Sequence, residues 1–344
     1  MAGFTQRLAL ACVLAGGLAA PAAHASLTPF QTFSGHFGVS TDGFGSTSQA
    51  GTLSAFVPAG ATVKAAYLYT STYFTTVGIG STLAGTTVSY STLLGETPAD
   101  KMQAARADVT GIVKPLIDGG PGGTYNLRIT EASDYQDGEA LVVVWELGTF
   151  AISTVAILDG FSDPTAEFTR LRFSAPLDPT APGFAAELRL GIGFSYDGTP
   201  CGSYPKEQAS TVQVNGTAIS TKAGCNDDSE DAIAGNGNLI TVGGSDDPYS
   251  AMNPTIDRDH ERYNLAALVN AGDTDITVQT SNPSLNDNIF LAVFQVSGTA
   301  TVGTPPAPTP TPTPMPEPAG LPLVAVGLAG LVWQRRTLRR ATWR

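Results

Sequence analysis

The sequence has few charged residues, few histidines and few cysteines, and each shortage narrows the range of functions. Charged residues make up 14% of the 344 positions, and 18 basic residues stand against 30 acidic ones. The resulting net charge of −12 argues against a nucleic-acid partner, because such a partner needs a basic face. The sequence also lacks Gly-x-Ser-x-Gly, His-Glu-x-x-His and phosphate-cradling glycine motifs, so it predicts no catalytic residue.

Long apolar runs are scarce, and one of them lies at the N-terminus. Arg7 precedes the apolar stretch 8–20, and the small-x-small triplet Ala23-His24-Ala25 follows it. This order is typical of a secretory signal peptide, which we place at residues 1–25 with cleavage between Ala25 and Ser26. The alternative is a membrane anchor, for which the stretch is too short.

The C-terminus has three consecutive parts. A Pro/Thr linker at residues 303–318 ends in Pro316-Glu317-Pro318, and an apolar helix is predicted at 319–333. Fifteen helical residues span about 22 Å, which is shorter than the ~30 Å hydrocarbon core. The tail 335–344 carries the basic stop Arg335, Arg336, Arg339 and Arg340. These arginines indicate the cytoplasmic side, so the precursor would hold both ends at the inner membrane transiently, with its body outside.

The order of Pro-Glu-Pro, short apolar helix and arginine cluster, over about residues 315–344, resembles the PEP-CTERM sorting signal of Gram-negative bacteria. The resemblance implies that an exosortase, a membrane cysteine protease, recognises Pro316, Glu317 and Pro318 and removes the helix and tail. It also implies an exported protein of the cell surface or extracellular matrix, linked to exopolysaccharide or biofilm. A plain single-pass anchor is the alternative.

Period-two alternation dominates residues 50–300 and predicts half-buried antiparallel strands. Leu127 and Ile129 alternate with polar neighbours, and so do the apolar residues of 187–194. The continuous apolar runs 141–145 and 289–294 are typical of central strands. Only the segment 100–113 leaves a choice between a helical turn and a strand.

The two halves of the body repeat each other. Residues 125–146 align with 274–295 without a gap at an offset of 149. Residues 83–89 resemble 214–220, and 108–114 resemble 264–270. We therefore predict an all-β fold of two tandem, duplicated antiparallel β-sandwiches of jelly-roll type, at 26–150 and 151–302, with the short apolar helix after them.

The second half carries an acidic insertion, 221–262, that the first half lacks. Its carboxylates include Asp227, Asp228, Glu230, Asp231, Asp257 and Asp259, and oxygens at such spacing suit Ca²⁺. The segment lacks the glycine and glutamate positions of an EF-hand loop, so a solvated acidic loop is the alternative to a calcium site. No other cofactor is predicted.

Cys201 and Cys225 are the cysteines left once the leader is removed with Cys12. Because export exposes them to an oxidising setting, we expect a disulfide between them rather than a catalytic thiol.

We therefore expect a non-enzymatic surface or matrix protein that is sorted by an exosortase-like protease and acts by adhesion or matrix binding, with polysaccharide as a candidate partner. A secreted carbohydrate-binding module, calcium-dependent or not, is the alternative, with Tyr196, Tyr204 and Tyr249 as sugar-stacking rings. A polysaccharide-degrading enzyme is a third hypothesis, since glycoside hydrolysis needs only two carboxylates.

Overall fold

The structure is a computed structural model that describes residues 26–45, 48–72, 78–96, 102–162, 166–193, 210–224, 240–254, 258–282 and 288–303. All of these residues belong to one compact unit, which ends at Thr304. Strands dominate it, and every strand pair is antiparallel, so the all-β prediction of sandwich type is confirmed. The predicted C-terminal helix lies outside the described residues.

The described strands are, in chain order, β1 (Thr28–Gly35), β2 (Phe37–Phe44), β3 (Ala50–Val57), β4 (Thr62–Thr72), β5 (Ser81–Leu83), β6 (Thr86–Val88), β7 (Thr92–Glu96), β8 (Gln103–Asp108), β9 (Gly123–Glu131), β10 (Gln136–Glu146), β11 (Ser153–Asp159), β12 (Glu167–Phe173), β13 (Ala186–Gly193), β14 (Ser210–Val214), β15 (Thr217–Ala223), β16 (Thr241–Val242), β17 (Arg262–Asn264), β18 (Asp275–Ser281), β19 (Asn288–Ser297) and β20 (Ala300–Gly303). A helix, α1 (Thr110–Ile117), follows β8, and a 3₁₀ turn at Ala266–Leu268 follows β17. The described part of the ambiguous segment, 102–113, thus contains strand β8 and the start of helix α1.

Four sheets are stacked as layers. Sheet I has the order β3-β9-β5-β6 and sheet II the order β2-β10-β4-β8-β7. Sheet III runs β1-β11-β19-β13-β16, with β17 also beside β13, and sheet IV runs β15-β14-β18-β12-β20. One apolar core lies between sheets I and II, a second between III and IV, and a third between II and III. The layers therefore follow the order I, II, III, IV.

The two halves of the chain use the same strand order. In sheet II the order β2-β10-β4-β8 matches β11-β19-β13 in sheet III, where β16 and β17 together take the place of β8 beside β13. In sheet I the order β3-β9-β5-β6 matches β12-β18-β14-β15 in sheet IV. Helix α1 after β8 corresponds to the 3₁₀ turn after β17. This agreement is what an internal duplication requires.

The stacking explains the continuous apolar runs in the sequence. Strands β10 and β19 lie in the two middle layers, so both of their faces are covered. Val142 and Val144 belong to the apolar core between sheets II and III, while Leu141 and Val143 belong to the core between sheets I and II. A strand with two buried faces loses the alternation of a half-exposed strand.

Strand β1 belongs to the second sandwich, although the predicted boundaries assign it to the first. It pairs with β11 along the edge of sheet III, from Thr28 opposite Asp159 to Gly35 opposite Ser153. Phe33 packs into the layer between the halves, and the preceding Leu27 is buried in the core of the second sandwich. The N-terminal strand therefore ties the start of the chain to its second half.

Candidate functional site

The sites predicted from sequence fall mostly outside the described residues. This applies to Ala25, Cys201, Cys225, Asp257, the carboxylates of 227–231, Tyr196, Tyr204, the motif 316–318 and the arginines 335–340. Ser26, Asp259 and Tyr249 are described.

Ser26, the predicted mature N-terminus, lies directly before β1. Its hydroxyl donates a hydrogen bond to Glu167 Oε1 on β12. Leu27 is buried, so the chain enters the second sandwich within one residue of the predicted cleavage point. A new α-ammonium on Ser26 would therefore start beside a carboxylate.

Asp259, the described member of the predicted calcium set, is buried and already bonded. The Ser220 hydroxyl donates to its Oδ2, and the Tyr263 hydroxyl lies 2.7 Å from its Oδ1. Tyr263 is also 2.8 Å from Glu261 Oε2. The single phenol proton of Tyr263 can be donated fully to only one of these two carboxyl groups at a time. Burial raises the pKa of Asp259.

Tyr249 forms a partly exposed surface with Arg262, Glu187 and Arg189, named here the Tyr249 surface. The ring is 43% exposed, and the Arg262 guanidinium carbon lies 4.4 Å from its centroid. The Tyr249 hydroxyl donates to Glu187 Oε1, and Arg189 Nη2 donates to Glu187 Oε2 over 2.6 Å. Aromatic rings held in this way, with polar groups beside them, are the kind of surface on which sugars stack.

The charges of the Tyr249 surface compensate one another. Burial acts to raise the pKa of Glu187, but Arg189, Tyr249 and Arg262 outweigh it, so that pKa lies below its usual value. Arg262 Nη1 also donates to the carbonyl oxygens of Ser245 and Asp247, 2.8 and 2.7 Å away. These bonds fix the guanidinium under one face of the ring.

A buried acidic centre lies between sheets I and II, and the sequence reasoning missed it. We define it as Glu131 at the end of β9, Glu139 near the start of β10, and the neighbouring Ser81, Tyr90 and Gln136. The Ser81 hydroxyl donates to Glu139 Oε1 over 2.6 Å and lies 2.9 Å from the Tyr90 hydroxyl. Gln136 Nε2 lies 3.3 Å from Glu139 Oε1. Both carboxyl groups are buried.

The acidic centre is not compensated by positive charge within the described residues. Burial, reinforced by the charge of Glu139, raises the pKa of Glu131 to about 11. Burial raises the pKa of Glu139 to about 7 and that of the nearby Asp137 to about 8. No arginine or lysine of the described ranges contributes to the pKa of either glutamate.

The second half of the chain shows that the fold does not need these acids. At the offset of 149, Glu131 corresponds to Thr280 and Glu139 to Asn288. Thr280 accepts a hydrogen bond from Ser162 over 2.8 Å, and Asn288 accepts one from Asn282 over 3.1 Å. In the second sandwich, neutral side chains therefore occupy the positions that Glu131 and Glu139 hold in the first.

A sequence signal for the acidic centre existed. Leu127, Ile129 and Glu131 share one face of β9, and that face is buried, so a carboxylate occupies an inward position. Comparing the aligned halves position by position would have singled out Glu131 and Glu139 as charges replaced by neutral residues.

No protein-family model matches the chain, and neither does any curated protein sequence. In the described ranges, no three His, Cys, Asp or Glu side chains are grouped as a metal site. None of the described helices is long and apolar enough to cross a bilayer.

Proposed function

We propose that the chain is an exported, non-catalytic protein of the cell surface or extracellular matrix, sorted by an exosortase-like protease. The observation that carries the proposal is the order of Pro316-Glu317-Pro318, apolar segment and arginine tail at the C-terminus. The described body supports it, because the last described strand ends at Gly303, where the predicted Pro/Thr linker begins. A removable signal after a spacer would leave the body intact.

The sorting proposal is tested by fractionating cells that carry an exosortase-like protease. The unaltered chain is expected in the surface or matrix fraction, and a Glu317→Gln chain in the inner membrane. Pro310→Ala, in the same linker but outside the motif, is the matched control and is expected to be sorted normally. Equal distribution of all three proteins would contradict sorting by the motif.

A second function, carbohydrate binding, is favoured by the Tyr249 surface. It combines an exposed ring, a stacked guanidinium and a carboxylate bonded to the ring hydroxyl.

A glycan array is the test, with Tyr249→Ala as the variant. Tyr135→Ala is the control, because Tyr135 is similarly exposed, at 53%, but lies in a turn. Sugar binding lost only in Tyr249→Ala supports this function. Binding that both variants retain, or that the unaltered protein lacks, argues against the Tyr249 surface.

A further inference from the structure

The acidic centre has two carboxylates in a part of the molecule that ordinarily excludes charge. Glu139 is fully buried and Glu131 nearly so. Burying an ionised carboxylate without a partner is strongly unfavourable, so such a group takes up either a proton or a cation. In the second sandwich the corresponding residues, Thr280 and Asn288, are neutral, so the same strands pack there without a buried proton or cation.

The carboxyl groups of Glu131 and Glu139 are hydrogen-bonded to each other, so one proton lies between them. Beyond that contact, neither Glu131 Oε1 nor Glu139 Oε2 makes a hydrogen bond of normal geometry within the described residues. Since buried polar atoms are nearly always paired, this centre is a place where a cation can take over from the shared proton.

Thr72 provides an independent observation. Its side chain is 1% exposed, and its hydroxyl has no hydrogen-bond partner in the part of the chain that the structure describes. Ala66 and Leu68 of the same strand pack into the core between sheets I and II, so Thr72 faces that side by alternation. Thr72 also pairs with Gln136 across the ladder, so it lies beside Gln136 on the face of sheet II that carries Glu139.

We propose that the acidic centre binds a hard divalent cation, with Ca²⁺ as the probe, through oxygens of Glu131, Glu139 and Thr72. Carboxylate and hydroxyl oxygens without nitrogen or sulfur donors are the set that suits such an ion. On binding, the ion displaces the proton of Glu131 into solvent, and the two carboxylates then balance its charge; no described lysine or arginine competes for them. The proposed cation site does not depend on the sorting signal, and it is a different site from the one predicted in the acidic insertion 221–262.

The experiment is calorimetric titration of the purified exported protein with Ca²⁺ at pH 8, after removal of divalent ions with a chelator. Glu139→Gln preserves size and the acceptor for Ser81 but removes one charge. It is expected to weaken Ca²⁺ binding at least about tenfold, because ligand charge sets the affinity of such sites. Asp134→Asn, an exposed acid in the adjoining turn, is the matched control and is expected to bind as the unaltered protein does.

Thr72→Val is the second variant, in case Glu139→Gln does not fold. It removes only the hydroxyl oxygen and is expected to weaken Ca²⁺ binding while leaving the unfolding temperature of the metal-free protein nearly unchanged. Binding that weakens in Thr72→Val and Glu139→Gln, and not in Asp134→Asn, supports the site.

Two results would overturn the proposal. Absence of heat and of thermal stabilisation with Ca²⁺ at pH 8 would mean that the acids hold protons only. Ca²⁺ binding that survives Glu139→Gln and Thr72→Val, but is lost when Asp227, Asp228, Glu230 and Asp231 are neutralised together, would place the ion in the acidic insertion instead.

Discussion

Arg106 and Asp159 form an ion pair across the layer between the two sandwiches. Arg106 lies on β8 of sheet II and Asp159 on β11 of sheet III, and both side chains are largely buried. The Tyr69 hydroxyl donates to the same Asp159 oxygen over 3.1 Å, and the Arg106 guanidinium carbon lies 3.3 Å from the centroid of the Phe30 ring. This ion pair joins sheets II and III beside the apolar core that they share.

Asp159→Asn is expected to lower the free energy of unfolding by about 3–5 kcal/mol, because it leaves the Arg106 charge buried without its partner. Chemical denaturation measures the change. Arg172→Gln is the control, since Arg172 is 62% exposed in its pair with Asp275, and we expect a loss under about 1 kcal/mol. Equal losses in the two variants would show that the pair between the sandwiches contributes no more than a surface pair.

Gly51→Ala is expected to destabilise the first sandwich by about 1–3 kcal/mol, because an added methyl group overpacks the core. A Cβ atom on Gly51 would lie 2.1 Å from Cε2 of the buried Phe44 ring. Gly111→Ala is the matched control, since a Cβ there meets nothing within 4 Å and Gly111 lies in helix α1. We expect that control to raise the thermal unfolding temperature slightly, and a fall as large as that of Gly51→Ala would contradict the packing.

The metal-free protein is expected to lose stability as the pH rises from about 4.5 to about 8. The raised pKa values of Glu139, about 7, and Asp137, about 8, mean that the folded state binds more protons than the unfolded chain in this window. This contribution to stability is therefore complete below the unfolded pKa values, falls as the pH rises towards the folded pKa values, and is lost above them. Thermal unfolding in the presence of chelator measures the slope.

Glu139→Gln separates the contribution of the acidic centre from that of other groups, such as Asp42, whose pKa burial raises to about 7. The variant is expected to flatten the pH profile by on the order of 2 kcal/mol between its ends. Asp134→Asn is expected to leave the profile unchanged. A profile in Glu139→Gln as steep as in the unaltered protein would show that Glu139 does not titrate in this window.

The predicted disulfide is expected to hold Cys201 to Cys225 in the exported protein. Intact mass with and without reductant should differ by two hydrogens, and reduction should cost roughly 3 kcal/mol for a loop of about 24 residues. The hairpin β14–β15 lies inside this loop. Two free thiols that react with an alkylating agent without prior reduction would contradict the bond.

Alternation predicted half-buried strands such as β9, because such a strand presents one face to a core, and the alignment of 125–146 with 274–295 predicted the duplication. Leu127 and Ile129 are buried as expected, and the runs 141–145 and 289–294 lie in central strands. The place of β1 was not predictable from local pattern. Its pairing with β11 depends on contacts between residues more than 100 positions apart, which period-two alternation does not encode.

The acidic centre shows a second kind of feature that could not be predicted from the sequence. The predicted calcium residues were chosen because acidic side chains lay close together along the chain, within 227–231 and 257–259. Glu131 and Glu139, in contrast, share a buried site because β9 and β10 lie in facing sheets. Which inward positions face one another is set by how the sheets pack, and the sequence alone does not state it.

The most direct test of the central claim is the intact mass of the protein recovered from the outside of the cell. The account predicts a chain that begins at Ser26 and lacks the apolar segment 319–333 and the arginine tail. A full-length chain of 35.4 kDa, recovered uncleaved from inside the cell, would contradict it.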